Sequence, residues 1–240
     1  MRIVTWNCCR GAFHKKVPVL KALSPDIAVI QECGQPSALD NQCLWFGDNP
    51  KQGIAVVAKA PYQVRAMPLL IDVPKYAIPV QVVGPVNFII LAIWAKGRQK
   101  FPYIEGVVRA VEMYSNLLAD STAIIIGDFN SNTIWYDEHP CQQNHSALVR
   151  RLSEIGMISS YHAFHGVLHG KEKDPTHYFR WNEQQPYHID YAFIPTHWLQ
   201  SMQEVAVGSY RDWKDYSDHR PLLVDFGKLA PTNAPSMLDA

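Results

Sequence analysis

Five short stretches of this chain carry side chains able to do hydrolytic chemistry. They are "TWN" ending in Asn7, "IQE" ending in Glu32, "GDFN" with Asp128 and Asn130, "HIDY" with Asp190, and "SDHRP" with Asp218 and His219. Taken singly each is ordinary, because Asp and Asn favour turns, where their side chains hydrogen-bond the local backbone. Taken together they are not. Glu32, Asp128, Asp190 and Asp218 gathered at one edge would repel one another unless a cation sat between them. Hard oxygen donors of this kind suit Mg²⁺ or Mn²⁺, not the sulfur-rich sites that select zinc.

The elements that must position these residues are legible in the apolar pattern. Eight runs rich in β-branched residues predict strands: Ile3 to Trp6, Ile27 to Ile30, Ile54 to Ala58, Val80 to Val83, Phe88 to Trp94, Ala123 to Ile126, Ile189 to Ile194 and Leu222 to Phe226. Asn7, Glu32 and Asp128 follow the C-terminal ends of three of them, Asp190 opens a fourth, and Asp218 and His219 precede the last. Helical spacing of apolar residues predicts a helix over Tyr103 to Ala119. A second, from His145 to Ile155, would be capped by Asn144 and stopped at Gly156. A third runs from about Lys15 to Leu23, with Pro18 tolerated in its first turn. Strands outnumber helices and cluster, so the expected class is α+β, with two packed sheets and helices outside.

Length and composition bound the partners. With 240 residues, 48% of them apolar, the chain fits one large domain, expected over residues 1–228 with a frayed tail at 229–240. Lys plus Arg and Asp plus Glu are 22 each, so no global field draws in nucleic acid or a membrane surface. No apolar h-region or membrane-length run is present, and five cysteines, an odd number, fit reduced thiols and a cytoplasmic location. Cys8 and Cys9 read as packing residues.

The ordered motifs resemble the endonuclease/exonuclease/phosphatase superfamily, whose members include DNase I-like nucleases and inositol polyphosphate phosphatases. The resemblance spans Trp6 to Pro221, and "GDFN" followed by "SDHRP" is its specific part. It implies a four-layer α/β/β/α sandwich of two mixed sheets and a metal-dependent phosphodiester hydrolase. Glu32 would be the principal ligand of Mg²⁺ or Mn²⁺. Asn7 and Asn130 would bond the scissile phosphate or the metal's water shell. Asp190 would orient and charge His219, and Asp218 would orient His219 or hold a second metal. Both His219 and Asp128 are candidates for the base that takes the proton from water. Two positions depart from the family: Trp94 stands where a His or Tyr is common, with Lys96 as a substitute, and His188 precedes "IDY" where Arg is common.

Trp94, Trp135, Tyr136, Trp181, Trp213 and Tyr216 lie near these motifs, and bases stack on such rings, which favours a nucleic acid or nucleotide substrate. Lys96, Arg98 and Lys100 could track a backbone; His188 would touch the phosphate. The substrate-facing candidates are thus Trp94, Lys96, Arg98, Trp135 and His188. One stretch holds His162, His165, His169 and His177; the first three have helical spacing, but Gly166 and Gly170 interrupt it and no cysteine completes a zinc set, so they read as a loop lining the site or as surface histidines. The alternatives within the enzymes are a phosphomonoesterase or a lipid or inositol-phosphate phosphodiesterase. No amphipathic membrane segment or dense basic pocket supports them, and no wedge for an abasic site is identifiable. No protein partner is evident. A non-catalytic binding module would not need the full polar set.

Overall fold

The computed structural model describes residues 1–36, 42–97, 100–120, 122–135 and 138–229. In chain order the strands are β1 (Arg2–Asn7), β2 (Ile27–Cys33), β3 (Cys43–Asn49), β4 (Gln52–Ala58), β5 (Gln63–Ala66), β6 (Ala77–Val83) and β7 (Phe88–Trp94). They continue as β8 (Ala123–Asp128), β9 (Met157–Ser159), β10 (His177–Tyr178), β11 (Pro186–Tyr187), β12 (Asp190–Pro195), β13 (Met202–Val207) and β14 (Leu222–Phe226). The helices are α1 (Phe13–Ala22), α2 (Ile104–Met113), α3 (Ser115–Asp120), α4 (His145–Glu154), α5 (Ser160–His165) and α6 (Tyr210–Trp213).

Two six-stranded sheets form, in the orders β13-β14-β1-β2-β4-β3 and β5-β6-β7-β8-β12-β9, with β10 and β11 as a separate hairpin. Each sheet has one parallel pair at its centre, β1 with β2 and β7 with β8, flanked by antiparallel neighbours.

Period-two alternation sorts the apolar residues into three layers. Ile3, Ile27, Val29, Ile90, Ala92, Ile124, Ile126, Ala192, Ile194, Leu222 and Val224 fill the space between the sheets. The opposite face of the first sheet, with Val4, Trp6, Ala28 and Ile30, packs on Phe13 and Leu20 of α1. That of the second sheet, with Ile89, Leu91, Ile93, Ile125 and Phe193, packs on Val107, Val111, Leu148 and Leu152 of α2 and α4. The result is the expected α/β/β/α sandwich.

Local departures have local causes. The single helix expected over Tyr103 to Ala119 is two, because Tyr114 leaves helical values (φ −94°, ψ 11°) while its ring stays buried. Helix α1 begins at Phe13, which moves Pro18 past the first turn into its interior. Asn144 caps α4 as expected, its side chain accepting from Ala147 N at 2.9 Å. Leu229, assigned to the tail, is a buried core residue, and 230–240 lie outside the described residues. No helix among the described residues is long and apolar enough to cross a membrane.

Candidate active site

The site forms where the ends of β1, β2, β8 and β12 meet the loop before β14. On β1 the residues facing between the sheets alternate as Ile3, Thr5 and Asn7, so Asn7 ends the strand pointing into the cleft. Its Nδ2 donates to Asp128 Oδ2 at 2.9 Å and lies 3.4 Å from Glu32 Oε1. On β8 the same alternation through Ile124 and Ile126 brings Asp128 inward. Asp128 and Asp190 sit directly opposite each other across the antiparallel β8–β12 pair.

Glu32 reaches the cleft by a different device. Strict alternation would put it with Ala28 and Ile30 on the outer face, towards α1. The β2–β4 register slips between Gln31 and Cys33, and Glu32 takes a left-handed backbone (φ 59°). This bulge re-aims the carboxylate. Asn130, just past β8, is also left-handed (φ 46°). Such strain persists only where the surroundings hold it, and here it places amide groups around Asp128. Asn130 N donates to Asp128 Oδ1, and Asn130 Nδ2 to Asp128 Oδ2 and Ala95 O, each at 2.9 Å. Gly127 sits at φ 148°, and a Cβ there would lie 1.9 Å from Ile93 O, so only glycine permits this approach of β8 to β7.

His219 is fixed by several groups at once. Its Nδ1 lies 2.9 Å from Asp190 Oδ2, with both side chains buried. Its backbone N donates to Ser217 Oγ at 3.0 Å, while that hydroxyl donates to Asn7 O at 2.7 Å. Trp6 Nε1 donates to His219 O at 3.2 Å. Asp190 is held from behind, since Thr176 Oγ1 accepts from Ile189 N and Asp190 N at 2.9 and 3.0 Å. Asp128, Asp190 and His219 offer ligand atoms within 4.8 Å of one another, as do His177, Asp218 and His219.

The electrostatics follow from burial and neighbours. Burial alone would lower the His219 pKa, but the Asp190 and Asp128 carboxylates and the Asp190 hydrogen bond raise it well above the ordinary histidine value. Burial raises Asp128, with Asp190 adding to the rise and His219 opposing it. Asp218 behaves oppositely: burial would raise it, but the His177 imidazole 3.8 Å away and the charge on His219 bring it down to about 2.

Seven expected residues therefore converge: Asn7, Glu32, Asp128, Asn130, Asp190, Asp218 and His219. The expected substrate contacts fare differently. Trp94 pairs in register with Asp128 yet is 2% exposed, so its ring is core and has no face for a base. His188 is buried too: its Nδ1 lies 2.7 Å from Asp174 O and its ring packs on Tyr161. Lys96 lies over the Trp94 ring at 4.1 Å, close enough to feel the charge of Glu32. Trp135 packs against Tyr187 at 5.0 Å. Arg98 and Tyr136 lie outside the described residues.

Several further groups complete the site. His177 bridges to His219 in backbone pairing, its ring 4.4 Å from the His219 ring and its Nε2 3.8 Å from Asp218 Oδ2. Arg10 Nε and Gln52 Nε2 hold Glu32 Oε2 at 3.0 and 3.1 Å. Cys9 interacts with the Asp218 carboxylate, so one of the two adjacent cysteines does reach the site. Arg220 is a clamp: buried between the Tyr178 and Tyr210 rings, it donates through Nη1 to Ser217 O and His219 O at 2.7 and 3.0 Å.

No protein-family model and no curated protein matches the chain. Solved structures do. The 3'-5' exonuclease NExo from Neisseria meningitidis superposes with a TM-score of 0.69 at 20% identity, covering 95% of this chain and all of the other (100%). A 3' phosphatase form of NExo bound to a product DNA hairpin gives 0.67 at 18%, with 95% and 100% covered. An AP endonuclease from Archaeoglobus fulgidus gives 0.65 at 16%, with 94% and 99% covered. At these identities the likeness establishes the fold, which is that of the DNase I-like endonuclease/exonuclease/phosphatase proteins.

Proposed function

We propose that the chain is a divalent-metal-dependent phosphodiester hydrolase acting on nucleic acid. The observation that carries this reading is the meeting, from five separate segments, of Asn7, Glu32, Asp128, Asn130, Asp190, Asp218 and His219 around a buried Asp190–His219 pair at 2.9 Å. The superposed structures described as an exonuclease, a DNA-bound 3' phosphatase and an AP endonuclease support it.

The donor set fits a hard cation. Glu32 and Asp218 are carboxylates, Glu32 already draws the guanidinium of Arg10, and buried Asp190 Oδ1 has no hydrogen-bond partner among the described residues. Glu32 would hold Mg²⁺ or Mn²⁺, with Asp218 and the Asn7 amide beside it. Such an ion supplies Lewis-acid neutralisation of the phosphoryl oxygens.

The protein's own groups do the rest. Asp190 keeps His219 protonated, so its other ring nitrogen presents a cationic donor to a phosphoryl oxygen. Asp128, held by Asn7 and Asn130 and with its proton affinity raised by burial, takes the proton of the attacking water. The new phosphorus–oxygen bond forms as the bond to the leaving oxygen breaks, and the leaving oxygen is protonated from solvent. Exposed Phe179 and Trp181, on the turn leading from His177, offer stacking surfaces for unpaired bases. One domain through Leu229 carries the activity, and free cysteines fit a reducing, cytoplasmic setting.

The test is hydrolysis of plasmid DNA, single-stranded DNA, RNA, an aryl phosphodiester and an aryl phosphomonoester, with Mg²⁺, Mn²⁺ or chelator. Metal-dependent cleavage of a nucleic acid is expected. Undiminished turnover in chelator overturns the metal assignment. Turnover of the monoester alone replaces the nuclease reading with the phosphatase one.

A further inference from the structure

A second polar cluster lies behind β12, on the face opposite Asp190. His162 of α5, together with His169 and Glu172 of the loop that follows, offers ligand atoms that all lie within 4.8 Å of one another. His162 Nε2 is 2.9 Å from Glu172 Oε1, and the His162 and His169 rings stack at 3.5 Å and 16°. His145, the first residue of α4, lies 5.4 Å from His169, ring to ring. It is 2% exposed, and neither of its ring nitrogens has a hydrogen-bond partner among the described residues. The same holds for His169 Nδ1 and His188 Nε2. An interior that leaves this many imidazole nitrogens unpaired asks for a ligand, because buried polar atoms are otherwise almost always satisfied.

We propose that this cluster binds a borderline divalent cation of the Zn²⁺ class through His162 Nε2, His169 and Glu172, with the fourth position open to water or to His145 once its ring turns inward. Two or three imidazoles and one carboxylate, with no sulfur, suit Zn²⁺ and its neighbours Co²⁺ and Ni²⁺, whereas Mg²⁺ and Ca²⁺ need oxygen donors throughout. A spacing near that of His162 and Glu172 fits two ligands each about 2 Å from one ion. His162 also has the outer partner that metal-bound histidines require, since its Nδ1 lies 2.7 Å from Ser159 Oγ. Glu172 Oε1 is oriented by Gly170 N at 2.9 Å and Asn132 Nδ2 at 3.2 Å. His165, which shares the helical spacing, takes no part: its Nε2 lies 2.9 Å from Val205 O.

The site would brace the catalytic strand. Asn132 Nδ2, besides Glu172, donates to His188 O at 2.8 Å and Tyr191 OH at 3.0 Å, one residue from Asp190 and two from Asn130. An ion there ties α4, α5 and the loop carrying Glu172 to the start of β12.

The experiment strips the full-length protein with chelator, refills the catalytic site with excess Mg²⁺, and titrates Zn²⁺ or Co²⁺ by calorimetry. Expected are one equivalent bound, a raised thermal midpoint, and zinc-edge X-ray absorption showing only nitrogen and oxygen neighbours at about 2.0 Å. Glu172→Gln and His169→Asn should each weaken binding about tenfold or more, while Glu32→Gln should not. No bound equivalent in the wild type overturns the proposal. So does sulfur at about 2.3 Å, which would place the ion at Cys8 or Cys9, or a stoichiometry lost in Glu32→Gln and kept in the two cluster variants. Because the absorption spectrum is read on the wild type, a variant that fails to fold leaves the decision intact.

Discussion

The two faces of β12 carry polar clusters of opposite make-up. On the Asp190 side two histidines meet three carboxylates, and His219, the one in contact with Asp190, is held protonated, while burial lowers its neighbour His177. On the Tyr191 side several histidines meet one carboxylate, and the shifts are opposite to that of His219. Burial, with the neighbouring imidazoles adding to it, brings His169 down to about 3, and burial brings His188 down to about 4. His145 also falls well below its ordinary value. Burial is common to both clusters. The sign therefore depends on contact: a carboxylate hydrogen-bonded at 2.9 Å, as Asp190 is to His219, overcomes the desolvation penalty of an imidazolium, whereas Asp218 at 3.8 Å from His177 and the neighbouring imidazoles of the other cluster do not.

The largest effect that tests this contrast is on the Asp190 face. Asp190→Asn and His219→Ala should each cost on the order of 10² to 10⁴ in turnover, the range for a positioned acid or base. The double variant should be little worse than the poorer single one, since two residues acting as a unit are not additive. A kcat/KM cycle on a good phosphodiester checks it, and multiplicative losses would show that the pair does not act together. Glu32→Gln removes one metal-binding charge at constant shape. It should abolish turnover at limiting Mg²⁺, with Asp218→Asn showing a milder, metal-dependent loss across the same titration.

The eight apolar runs read from the sequence are the eight interior strands of the two sheets. The sheet strands that escaped are β3, β13, β5 and β9, which are the two edges of each sheet. An edge strand has fewer neighbours to bury it and needs less apolar sequence; β13, for instance, buries only Val205 among its six residues. The catalytic set was legible because "GDFN" and "SDHRP" keep functional side chains at fixed offsets from strong strands. Burial on a chosen face was not. Trp94 and His188 stood at the right places in the chain, but their side chains point into packing. The bulge that turns Glu32 inward leaves no trace in hydrophobic periodicity. His145 and Glu172 were invisible as partners of His162 because their meeting is made by tertiary packing between α4, α5 and a loop.

A pH series on chelated protein sharpens the comparison further, because His219 and the three histidines behind β12 shift with opposite signs. His145, His169 and His188 have folded pKa values lowered below 6.5, so the stability they contribute is present above that value and is lost as pH falls through the folded values, the unfolded chain taking up protons the native state refuses. His219 is raised, so its contribution is complete below 6.5 and is lost as pH climbs through its raised value. The thermal midpoint should therefore drop on acidification from pH 6.5 in chelator, and His169→Asn should flatten that drop. His219→Ala should instead alter the alkaline side. An acid slope unchanged by His169→Asn would mean that this imidazole is not held neutral by its surroundings.

The smallest expected effect lies outside both clusters. Phe179 and Trp181 are 45% and 47% exposed, on a turn whose Arg180 and Trp181 both take left-handed backbone (φ 54° and 59°), an arrangement that presents the rings instead of burying them. Each ring can stack on one base, for about 1 to 3 kcal/mol, and stacking needs an unpaired base. Trp181→Ala should therefore raise KM for single-stranded DNA or RNA by about tenfold, the equivalent of 1.4 kcal/mol, with kcat unchanged because the ring touches no reacting atom. The aryl phosphodiester, which has no base, serves as the control. Equal losses on both substrates would show that the turn shapes the catalytic pocket through His177 and does not hold nucleic acid.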